Sequence, residues 1–434
     1  MSFVLQQPMD PGPPPQWPGS VWVGSLDVSA DLPEHIPLAR SAGYRQARLL
    51  LRRGRWPCGF VQVEAGDGTV SAGEILRRAA ELPDIAWSGR PVTPLPVSIV
   101  LCTRERPDAL RCALTSLLAL DYPSFEIVVV DNASTTTAAA DVVTATADPR
   151  VRLFTEPRPG LARARNVGLA AARHDIVAFT DDDVVADRSW LWGLMDGFAA
   201  GPEVECVCGM VASGEIRSFP QAYFDARVTW ARRCSPRAYS LAAPPPHQPL
   251  FPFQIGQFGT GANFAVRRRF AVGLGGFDEA LGAGARTKSG EDVDLFVRVL
   301  LAGRTLVYQP SALVWHRHRA DIESLLSQMT GYAIGFGAWV TKLLCDRRTV
   351  PMVLRRVWKG LHHARSMTRV EIPYGRDLPE VDGGGRIRSA ELWAFARGPG
   401  AYALARLAGA RKAPLTSRPR VAATVRATEA GVPG

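Results

Sequence analysis

The sequence predicts an α/β fold in which a mostly parallel β-sheet is flanked by helices. Two observations lead to this prediction. Apolar runs such as VSIVLCT (Val97–Thr103) and FEIVVVD are continuous rather than alternating, as expected for strands covered on both faces. These runs alternate with helical segments up to Asp183, and strand–helix–strand units of this kind form parallel sheets.

The predicted elements follow one another regularly. The strands are VSIVLCT, FEIVVVD, VRLFTE and DIVAFTDDD, and the helices between them are ALRCALTSLLAL, TTAAADVVTATA and LARARNVGLAAA. After Asp183 the pattern becomes mixed: CVCGMV and TLVYQPSALVWH predict strands, and SGEDVDLFVRVLLAG predicts an amphipathic helix. Cys206 and Cys208 are expected in the core, because two cysteines without a second pair make a poor zinc site.

Four regions are predicted along the chain. Residues 1–20 are Pro-rich and expected to be disordered. Residues 21–90 form a small α+β unit, in which two strands surround a Gly-Arg-Trp-Pro turn and SAGEILRRAAEL forms a helix. Residues 97–344 form the α/β domain. Residues 345–434 form a basic, helical C-terminal extension with short helices such as LWAFAR and ALARLAG.

The composition is that of an ordinary globular protein, with 47% apolar and 21% charged residues. The seven cysteines are an odd number and do not suggest a disulfide framework. The N-terminus lacks the pattern of a signal peptide. The apolar stretch Gly331–Leu344 is shorter than the ~20 residues that a membrane span needs. A cytoplasmic protein is expected.

The net charge of +10 lies in the C-terminal extension. From Asp346 onward, 17 Arg or Lys residues face 7 Asp or Glu residues. Two interpretations stay open: a solvated arginine-rich surface, or peripheral contact with anionic lipid at the inner face of the membrane. The stretch GYAIGFGAWVTKLL either adds to such a contact or packs as an ordinary helix, and its glycines favour packing. No nucleic-acid partner is expected.

Polar residues follow three of the predicted strands: Thr103, Asp131 and the triplet Asp181-Asp182-Asp183. In open α/β sheets, ligands bind at the carboxyl ends of the strands. Alternate residues of an extended chain face the same way, so Asp181 and Asp183 can share one site. Their mutual repulsion favours a divalent cation with oxygen ligands. The alternative is a solvated acidic turn or a helix cap.

Two further motifs have both a structural and a functional interpretation. Glu291 and Asp292 open a helix, where carboxylates are favoured by the helix dipole, but a carboxylate there can also serve as a general base. His316 follows the strand ALVW; it is either structural or a ligand for a borderline divalent ion such as Mn²⁺. No dinucleotide-binding G-x-G-x-x-G follows the first strand of the domain, and no P-loop motif occurs.

Taken together, eight segments resemble the family 2 glycosyltransferases of the GT-A fold, in their non-processive, actinobacterial-type form. The segments are VSIVLCTRERPDALRCALTSL, EIVVVDNAST, GLARARNVGLAAA, FTDDDVV, GTGANFAVRR, LGGFDEALG, GEDVDLFVRVL and LVWH. They occur between Val97 and Leu344 in the family's order and at its spacing. Each segment alone is weak, but the ordered set is highly specific.

The resemblance implies a role for particular residues. Asp292 is the general base. The residues that it implies for the nucleotide sugar are Thr103, Arg104, Asp131, Arg165, Asp181, Asp182 and Asp183. The ligands that it implies for Mn²⁺ or Mg²⁺ are Asp181, Asp183 and His316. The residues that it implies for the acceptor side are Glu291, Gly261 and Asn263.

The predicted function is an inverting, metal-dependent transfer of a sugar from a nucleotide-diphosphate sugar to an acceptor hydroxyl. Arg104 and Glu105 stand where the family usually has Tyr-Asn, and the Q-x-x-R-W motif of processive synthases is absent after Asp292. One rival is a nucleotide-sugar-binding scaffold without turnover that docks a partner or a membrane. Another is a sugar nucleotidyltransferase, which CTRERPDAL disfavours because it lacks a glycine-rich loop and lysine. The sequence specifies neither the sugar, the base nor the acceptor.

Overall fold

The structure is a computed structural model. It describes residues 3–10, 12–85, 87, 92–228, 231–254, 256–356 and 383–413, with the backbone alone for 383–388. The rest of the predicted C-terminal extension and residues 88–91, which precede the larger domain, lie outside the described residues.

The N-terminal unit is a small α+β layer, as the sequence predicts for this part of the chain. Its elements are β1 Trp22–Asp27, β2 His35–Pro37, β3 Gln46–Arg53, β4 Trp56–Glu64, β5 Thr69–Ser71 and α1 Ala72–Ala79. Strand β3 pairs parallel to β1 and antiparallel to β4, and β2 pairs with β5. The helix begins after Ser71, whose hydroxyl accepts a hydrogen bond from the backbone N–H of Glu74 at 3.3 Å.

The Pro-rich N-terminus packs against this unit, so the prediction of disorder for residues 1–20 is wrong for the residues that the structure describes there. Leu5 and Met9 are buried, and Leu5 bridges to Leu38 as an isolated parallel pair. Asp10 forms an ion pair with Arg40. The composition predicts disorder because it offers few apolar residues, but these two side chains find preformed apolar surface on the N-terminal unit and on the domain beside it.

The larger domain is built on a nine-stranded sheet of the described chain. Its strands are β6 Val97–Thr103, β7 Phe125–Asn132, β8 Val151–Glu156, β9 Ile176–Asp181, β10 Val184–Ala186, β11 Val204–Ser213, β12 Arg237–Tyr239, β13 Asn263–Arg267 and β14 Thr305–His316. The order is β10-β14-β11-β13-β9-β6-β7-β8, with β12 also on β14. Strands β6 to β9 are parallel, β11 and β14 run parallel to each other, and β13 is antiparallel to both neighbours. The predicted α/β class is confirmed.

Helices cover both faces of the sheet. They are α2 Pro107–Leu118, α3 Ala138–Thr146, α4 Leu161–Ala171, α5 Trp190–Phe198, α6 Phe219–Arg227, α7 Arg268–Gly273, α8 Glu291–Leu301, α9 Ile322–Leu344, α10 Val350–Leu354 and α11 Gly383–Leu407. The alternation along β6 shows the two faces: Ile99 and Leu101 join one buried cluster, with α2 and α5, while Val100 joins the other, with α4 and α8. This explains the continuous apolar run.

The C-terminal part of the described chain is one long helix rather than the two short helices that the sequence predicts. LWAFAR and ALARLAG both fall largely in α11, which continues through Pro399. The helix crosses α9 at Gly337 and Gly398, where an added Cβ would lie 2.2 Å from the carbonyl oxygen of Phe395 or 2.4 Å from the backbone nitrogen of Ala338. Contact with α9 stabilises a helix whose own periodicity is weak.

The N-terminal unit is attached to the larger domain by ion pairs as well as by apolar contacts. The pairs are Arg48–Asp225 at 2.6 Å, Arg52–Asp187 at 2.6 Å and Arg55–Asp196 at 2.8 Å. Val23 and Leu50 of the unit join a buried cluster with residues of β11 and β14. The two parts therefore share a core.

Among the described residues, no helix is both long enough and apolar enough to cross a bilayer. The stretch GYAIGFGAWVTKLL lies in α9, where Ala338, Trp339 and Leu343 are buried. The packing interpretation of this stretch is therefore confirmed. Cys206 and Cys208 lie in the core, as predicted from their isolated pairing.

Candidate active site

The carboxyl ends of the central parallel strands bring the predicted polar residues to one edge of the sheet. Strand β6 ends at Thr103, which is paired with Asp131 of β7. Its neighbour Cys102 is paired with Asp181 of β9 on the other side. Residues that are far apart in sequence thus lie on three adjacent strands, at the position where open α/β sheets bind ligands.

Asp181, Asp183 and His316 converge from β9 and β14. One ligand atom from each of the three lies within 4.8 Å of the others, and Nε2 of His316 is 3.1 Å from Oδ1 of Asp183. Strand β10 makes this possible: Val184 pairs with His316, so the chain turns directly from the acidic triplet onto the end of β14. All three residues are partly exposed.

These three residues fit a divalent ion. Two carboxylate oxygens and one imidazole nitrogen suit Mn²⁺, and also Mg²⁺ with added water or phosphate oxygens. Ligands about 2.1 Å from an octahedral ion lie about 3–4.2 Å from one another, so the observed separations need only small side-chain movements.

The charges of the cluster are unevenly balanced. Burial raises the pKa of Asp181 to about 6, although Arg165 opposes this shift. Burial also acts on Asp183, but the charge and hydrogen bond of His316, together with Arg106, outweigh it and hold its pKa below the ordinary value. Asp183 in turn raises the pKa of His316 against the effect of burial. Asp183 is thus the more firmly ionised member of the pair.

Asp182 faces away from this cluster, as the alternation predicts. Its side chain accepts hydrogen bonds from the hydroxyl of Thr103 at 2.8 Å and from Arg106 at 2.6 Å. It is 5% exposed, and Thr103 is 4% exposed. In this structure the side chains of Thr103 and Asp182 therefore do not face the predicted nucleotide directly. Both help to hold the loop that follows β6.

Arg106 was not predicted and is part of the site. One of its terminal nitrogens lies 2.6 Å from Asp182 and 3.0 Å from Asp183, so a single guanidinium bridges the triplet. Its side chain is 36% exposed. The sequence offers only its position, three residues after the strand-end threonine and directly before the helix that begins at Pro107.

The departure from the family pattern at Arg104 and Glu105 has different consequences for the two residues. Arg104 is exposed at the edge where the nucleotide is expected. Glu105 accepts hydrogen bonds from the hydroxyls of Thr135 and Thr136, both at 2.9 Å, and so ties the loop after β6 to the loop after β7. Asp131 lies at that second loop and accepts a hydrogen bond from Ser134.

Arg165 is a buried link between the two sides of the site. Its guanidinium donates to Glu291 at 2.7 Å, to Asp181 at 3.2 Å and to the carbonyl oxygen of Gly261 at 2.8 Å. It is 2% exposed. The resemblance implies that Arg165 contacts the nucleotide sugar, and in this structure Arg165 reaches that side of the site through Asp181. Its burial leaves no open face for a ligand, so a direct contact is not consistent with this structure.

Asp292 lies in the first turn of α8, with its carboxylate at the cleft. Oδ2 accepts a hydrogen bond from the backbone N–H of Gly261 at 2.6 Å, and Oδ1 accepts one from the N–H of Val293 at 2.8 Å. Gly261 leaves no room for a side chain: an added Cβ would lie 2.8 Å from Arg165 and 3.1 Å from Oδ2 of Asp292. Gly261 therefore positions Asp292 through its backbone.

Two residues expected on the acceptor side are buried instead. Glu291 is 5% exposed and paired with Arg165; burial and the charge of Asp292 raise its pKa to about 7. Asn263 is fully buried: its amide donates to the carbonyl oxygens of Met210 and Ala312, and its oxygen accepts from the indole of Trp190. Neither side chain is free to touch an acceptor, so those two predictions are wrong in their direct form. A small polar motif such as G-A-N does not reveal which way its amide points.

Helix α9 forms the wall beside Asp292. Gly335 lies against Ser289, where an added Cβ would be 2.0 Å from the serine hydroxyl oxygen. The ring of Tyr332 is 43% exposed, and its hydroxyl accepts a hydrogen bond from Gln328 at 3.0 Å. In the sequence, only its aromatic type marks Tyr332.

Comparison with known proteins gives a consistent picture. The sequence model of the family described as "Glycosyl transferase family 2" matches residues 98–272. The pre-mycofactocin glycosyltransferase of Mycobacterium tuberculosis is 32% identical over 258 residues, covering 59% of this chain and 50% of that protein. The glucosyl-dolichyl phosphate glucuronosyltransferase of Haloferax volcanii is 24% identical over 226 residues, covering 51% of this chain and 69% of that protein. The chain thus spans about half the length of the first of these relatives.

Among solved structures, the mannosyltransferase PcManGT from Pyrobaculum calidifontis, in complex with GDP-Man and Mn²⁺, is similar to this chain. The TM-score is 0.41 and the sequence identity is 20%, over 74% of this chain and 80% of that chain. A likeness at this level carries no weight for the ligands of this chain.

Proposed function

We propose that this chain, whose residues 98–272 match the sequence model of glycosyl transferase family 2, transfers a sugar from a nucleotide-diphosphate sugar to an acceptor hydroxyl, with inversion at the sugar carbon. The observation that carries this proposal is the arrangement of a metal-ligand cluster and a separate carboxylate on one cleft. The Asp181–Asp183–His316 cluster lies at the strand ends, and Asp292 lies at the start of α8. Arg165 contacts Asp181 and also the backbone of Gly261, which holds Asp292.

The donor would bind with its nucleotide near Asp131 and the exposed Arg104, and with its diphosphate near Asp183. Asp181, Asp183 and His316 would hold Mn²⁺ or Mg²⁺, which when bound supplies positive charge to the departing diphosphate. Other residues of the chain orient the side chains of this site. Arg165 fixes the orientation of Asp181, and the hydrogen bond from Thr103 fixes Asp182 away from the cluster.

Asp292 would act as the general base. Its Oδ2 is fixed by the backbone N–H of Gly261, which leaves lone pairs for the proton of an acceptor hydroxyl. As that proton moves to Asp292, the acceptor oxygen forms a bond to C1 of the sugar and the bond from C1 to the phosphate oxygen breaks. The nucleoside diphosphate leaves with the electron pair. This single displacement inverts the configuration at C1 and needs no protein nucleophile.

The decisive experiment is Asp292→Asn, which keeps the shape of the side chain and leaves one oxygen to accept from Gly261, while the hydrogen bond from Val293 is lost. We expect transfer to fall by about 10²–10⁴-fold, while binding of UDP-, GDP- or dTDP-sugars, whichever the protein takes, survives. Asp141→Asn is the matched control, because Asp141 also lies in the first turn of a helix but is exposed.

The rival function is a scaffold that binds a nucleotide sugar without turnover. It predicts that Asp292→Asn changes nothing beyond the stability of α8, since Asp292 would then serve only as an acidic residue at a helix N-terminus. Full activity of the variant would show that Asp292 is not the base. Full activity of the wild-type protein in EDTA would show that the reaction needs no metal ion. A product that retains the donor's anomeric configuration would exclude the single displacement.

A peripheral contact with anionic lipid is the second part of the proposal, and α11 supports it. Along its outer side, Leu392, Trp393, Leu404 and Leu407 are 73%, 76%, 50% and 85% exposed. Exposed leucine and tryptophan side chains of this kind can enter the headgroup region of a bilayer, with the tryptophan at the interface. We commit to lipid rather than to a second copy of the chain. The 17 basic residues from Asp346 onward attract anionic headgroups and would repel their own kind across a dimer.

Co-sedimentation with vesicles tests this contact. We expect binding to phosphatidylglycerol-rich vesicles at low salt, weaker binding as salt rises, and little binding to phosphatidylcholine. Trp393→Glu should abolish binding, whereas Leu76→Glu, which places the same charge on the exposed apolar position of α1, should not. Binding that is independent of salt concentration and unaffected by Trp393→Glu would contradict the proposal, and so would the absence of binding. Dimerisation that is lost in Trp393→Glu would assign the face to a second copy.

A further inference from the structure

The orientation of His316 is held indirectly. Its Nε2 faces Asp183, but its Nδ1 makes no hydrogen bond with any residue that the structure describes. Histidines that bind metals usually have the second ring nitrogen fixed by a carboxylate or a carbonyl group. What holds the end of β14 in place is instead the backbone and the neighbouring histidine: the carbonyl oxygen of His316 accepts from Gly214 at 2.9 Å, and the ring of His318 lies 5.0 Å away.

His318 is fixed by Ser213, the residue that pairs with His316 across the β11–β14 ladder. Nε2 of His318 lies 3.0 Å from the hydroxyl oxygen of Ser213, and that hydroxyl lies 2.6 Å from Oδ1 of Asp225. A carboxylate can only accept, so Ser213 donates its single proton to Asp225 and accepts from Nε2–H of His318. The direction of both hydrogen bonds is therefore determined.

The same carboxylate receives Arg48 of the N-terminal unit. The guanidinium donates to Oδ2 of Asp225 at 2.6 Å, and the two side chains are 6% and 0% exposed. Phe224, next to Asp225 on α6, places its ring 4.6 Å from that of His318. A continuous buried path thus runs from Arg48 of β3 through Asp225 and Ser213 to His318, which follows His316 by two residues. The N-terminal unit has no other part in the proposed mechanism.

We propose that Arg48, through Asp225, Ser213 and His318, is a positioning residue that holds the end of β14 so that His316 faces Asp183. This inference rests on the proposed metal site. It assigns to the N-terminal unit the task of setting the affinity of that site. The cause is geometric: each of the four groups has its hydrogen bond directed by the next one, so a change at Arg48 reaches the 316–318 segment.

The competing explanation is that Arg48–Asp225 only fastens the two parts of the protein together. The chain contains a matched control for this explanation. Arg55–Asp196 joins the same two parts through a bidentate ion pair, at 2.8 and 2.9 Å. Asp196 lies on α5, and its hydrogen bond to β14 comes from the hydroxyl of Ser311 at 3.3 Å, five residues before His316. Loss of attachment alone affects both pairs, whereas loss of positioning affects only the first.

The test is titration of the full chain with Mn²⁺ alone, followed by the electron paramagnetic resonance signal of free Mn²⁺, beside thermal unfolding of each variant. We expect Ser213→Ala and Arg48→Met to weaken Mn²⁺ binding by about 10-fold, the lower end of effects seen when residues that orient a metal ligand are lost. Arg55→Met should lower the unfolding temperature and leave Mn²⁺ affinity unchanged. Ser213→Ala removes one oxygen and is the variant expected to fold if Arg48→Met does not.

The outcomes separate this inference from the metal site itself. If Asp183→Ala abolishes Mn²⁺ binding while Ser213→Ala leaves it unchanged, the positioning path is overturned and the metal site stands. Equal loss of affinity in Ser213→Ala and Arg55→Met would also overturn it, because attachment would then explain both. If the wild-type protein binds no Mn²⁺, the metal site and the path fall together.

Discussion

The two sides of the cleft hold their carboxylates by different means. On the donor side, defined as the acidic triplet with His316, the charge of Asp183 is met by two side chains, those of Arg106 and His316. On the acceptor side, Asp292 is held by backbone N–H groups, one of them from Gly261. Side-chain partners can move aside when a cation and a diphosphate arrive, whereas backbone partners stay where the fold puts them.

This difference suits the two proposed tasks. A metal site must exchange its partners in each catalytic cycle, because the ion and the leaving diphosphate come and go. A general base must keep its geometry within a few tenths of an ångström of the acceptor hydroxyl, because proton transfer depends on hydrogen-bond distance. Arg165 connects the two sides without serving either directly, since it is buried and bonded to Asp181 and to the carbonyl oxygen of Gly261.

The largest expected effect is on the donor side. Asp183→Ala removes the carboxylate that His316 and Arg106 share, and with it a ligand of the proposed ion. We expect turnover to fall by about 10³-fold or more, equivalent to roughly 4 kcal/mol of transition-state stabilisation, with the fold intact. Activity at saturating Mn²⁺ and circular dichroism spectra are the measurements.

Asp148→Ala is the control for this prediction, because Asp148 precedes β8 at the opposite edge of the sheet and pairs with Arg150. It should retain full activity. An Asp183→Ala protein that is folded and as active as the wild type would show that the acidic triplet is only a solvated turn.

On the acceptor side, Gly261→Ala should have the next largest effect. The added Cβ would lie 2.8 Å from a guanidinium nitrogen of Arg165, which cannot move because it is buried and bonded three times. The backbone of Gly261 must then shift, and Asp292 with it. We expect kcat to fall by about 10–10²-fold while the affinity for the donor changes little, since a misplaced catalytic group affects the chemical step.

Gly201→Ala provides the comparison, because an added Cβ there meets nothing within 4 Å. Equal losses of kcat and donor affinity in Gly261→Ala would mean that the donor side moves as well. The contrast between side-chain and backbone support would then be wrong.

The fold was predictable because its signals are local and repeated. Continuous apolar strands and amphipathic helices gave β6 to β9 and α2 to α4 close to their observed bounds. One exception is α11, where Gly398 and Pro399 predict a break if only the local sequence is considered. Only the backbone contact between Gly337 and Gly398 shows why the helix continues, and that contact joins segments 61 positions apart, a separation that no local pattern records.

The candidate site was predictable where strand ends determine it. Asp181, Asp183 and His316 come together because β10 directly follows the acidic triplet at the end of β9 and pairs with the end of β14. Arg165 and Asn263 were misplaced because motif and residue type do not reveal burial: both are polar, and both are saturated by partners from distant segments. Arg106 was missed because its two acidic partners lie more than 70 residues further along the chain, so no local motif connects them.

Arg106 offers a smaller, sharper test of the donor side. Arg106→Gln removes a positive charge from Asp182 and Asp183 and keeps a polar side chain of similar length. The guanidinium is about one-third exposed, so the pair is worth about 1 kcal/mol at most, or about five-fold in affinity. We expect Mn²⁺ to bind up to about five-fold more tightly to the variant. Weaker binding would mean that Arg106 orders the triplet rather than competes with the ion.

The smallest expected effect concerns Glu291 and appears in stability rather than in turnover. Burial, with the charge of Asp292, raises its pKa from 4.5 to about 7 despite Arg165. A carboxyl group whose pKa is higher in the folded state stabilises the fold below its ordinary pKa, and this contribution is lost as the pH rises through the folded value.

Glu291→Gln imitates the protonated form at every pH. The free energy of unfolding of the wild-type protein, measured in EDTA, should therefore fall relative to that of the variant between about pH 5 and pH 8, by no more than a few kcal/mol. A difference that grows in favour of the wild-type protein over this range would mean that the pair with Arg165 keeps Glu291 ionised, and that the acceptor side, like the donor side, depends on paired side-chain charges.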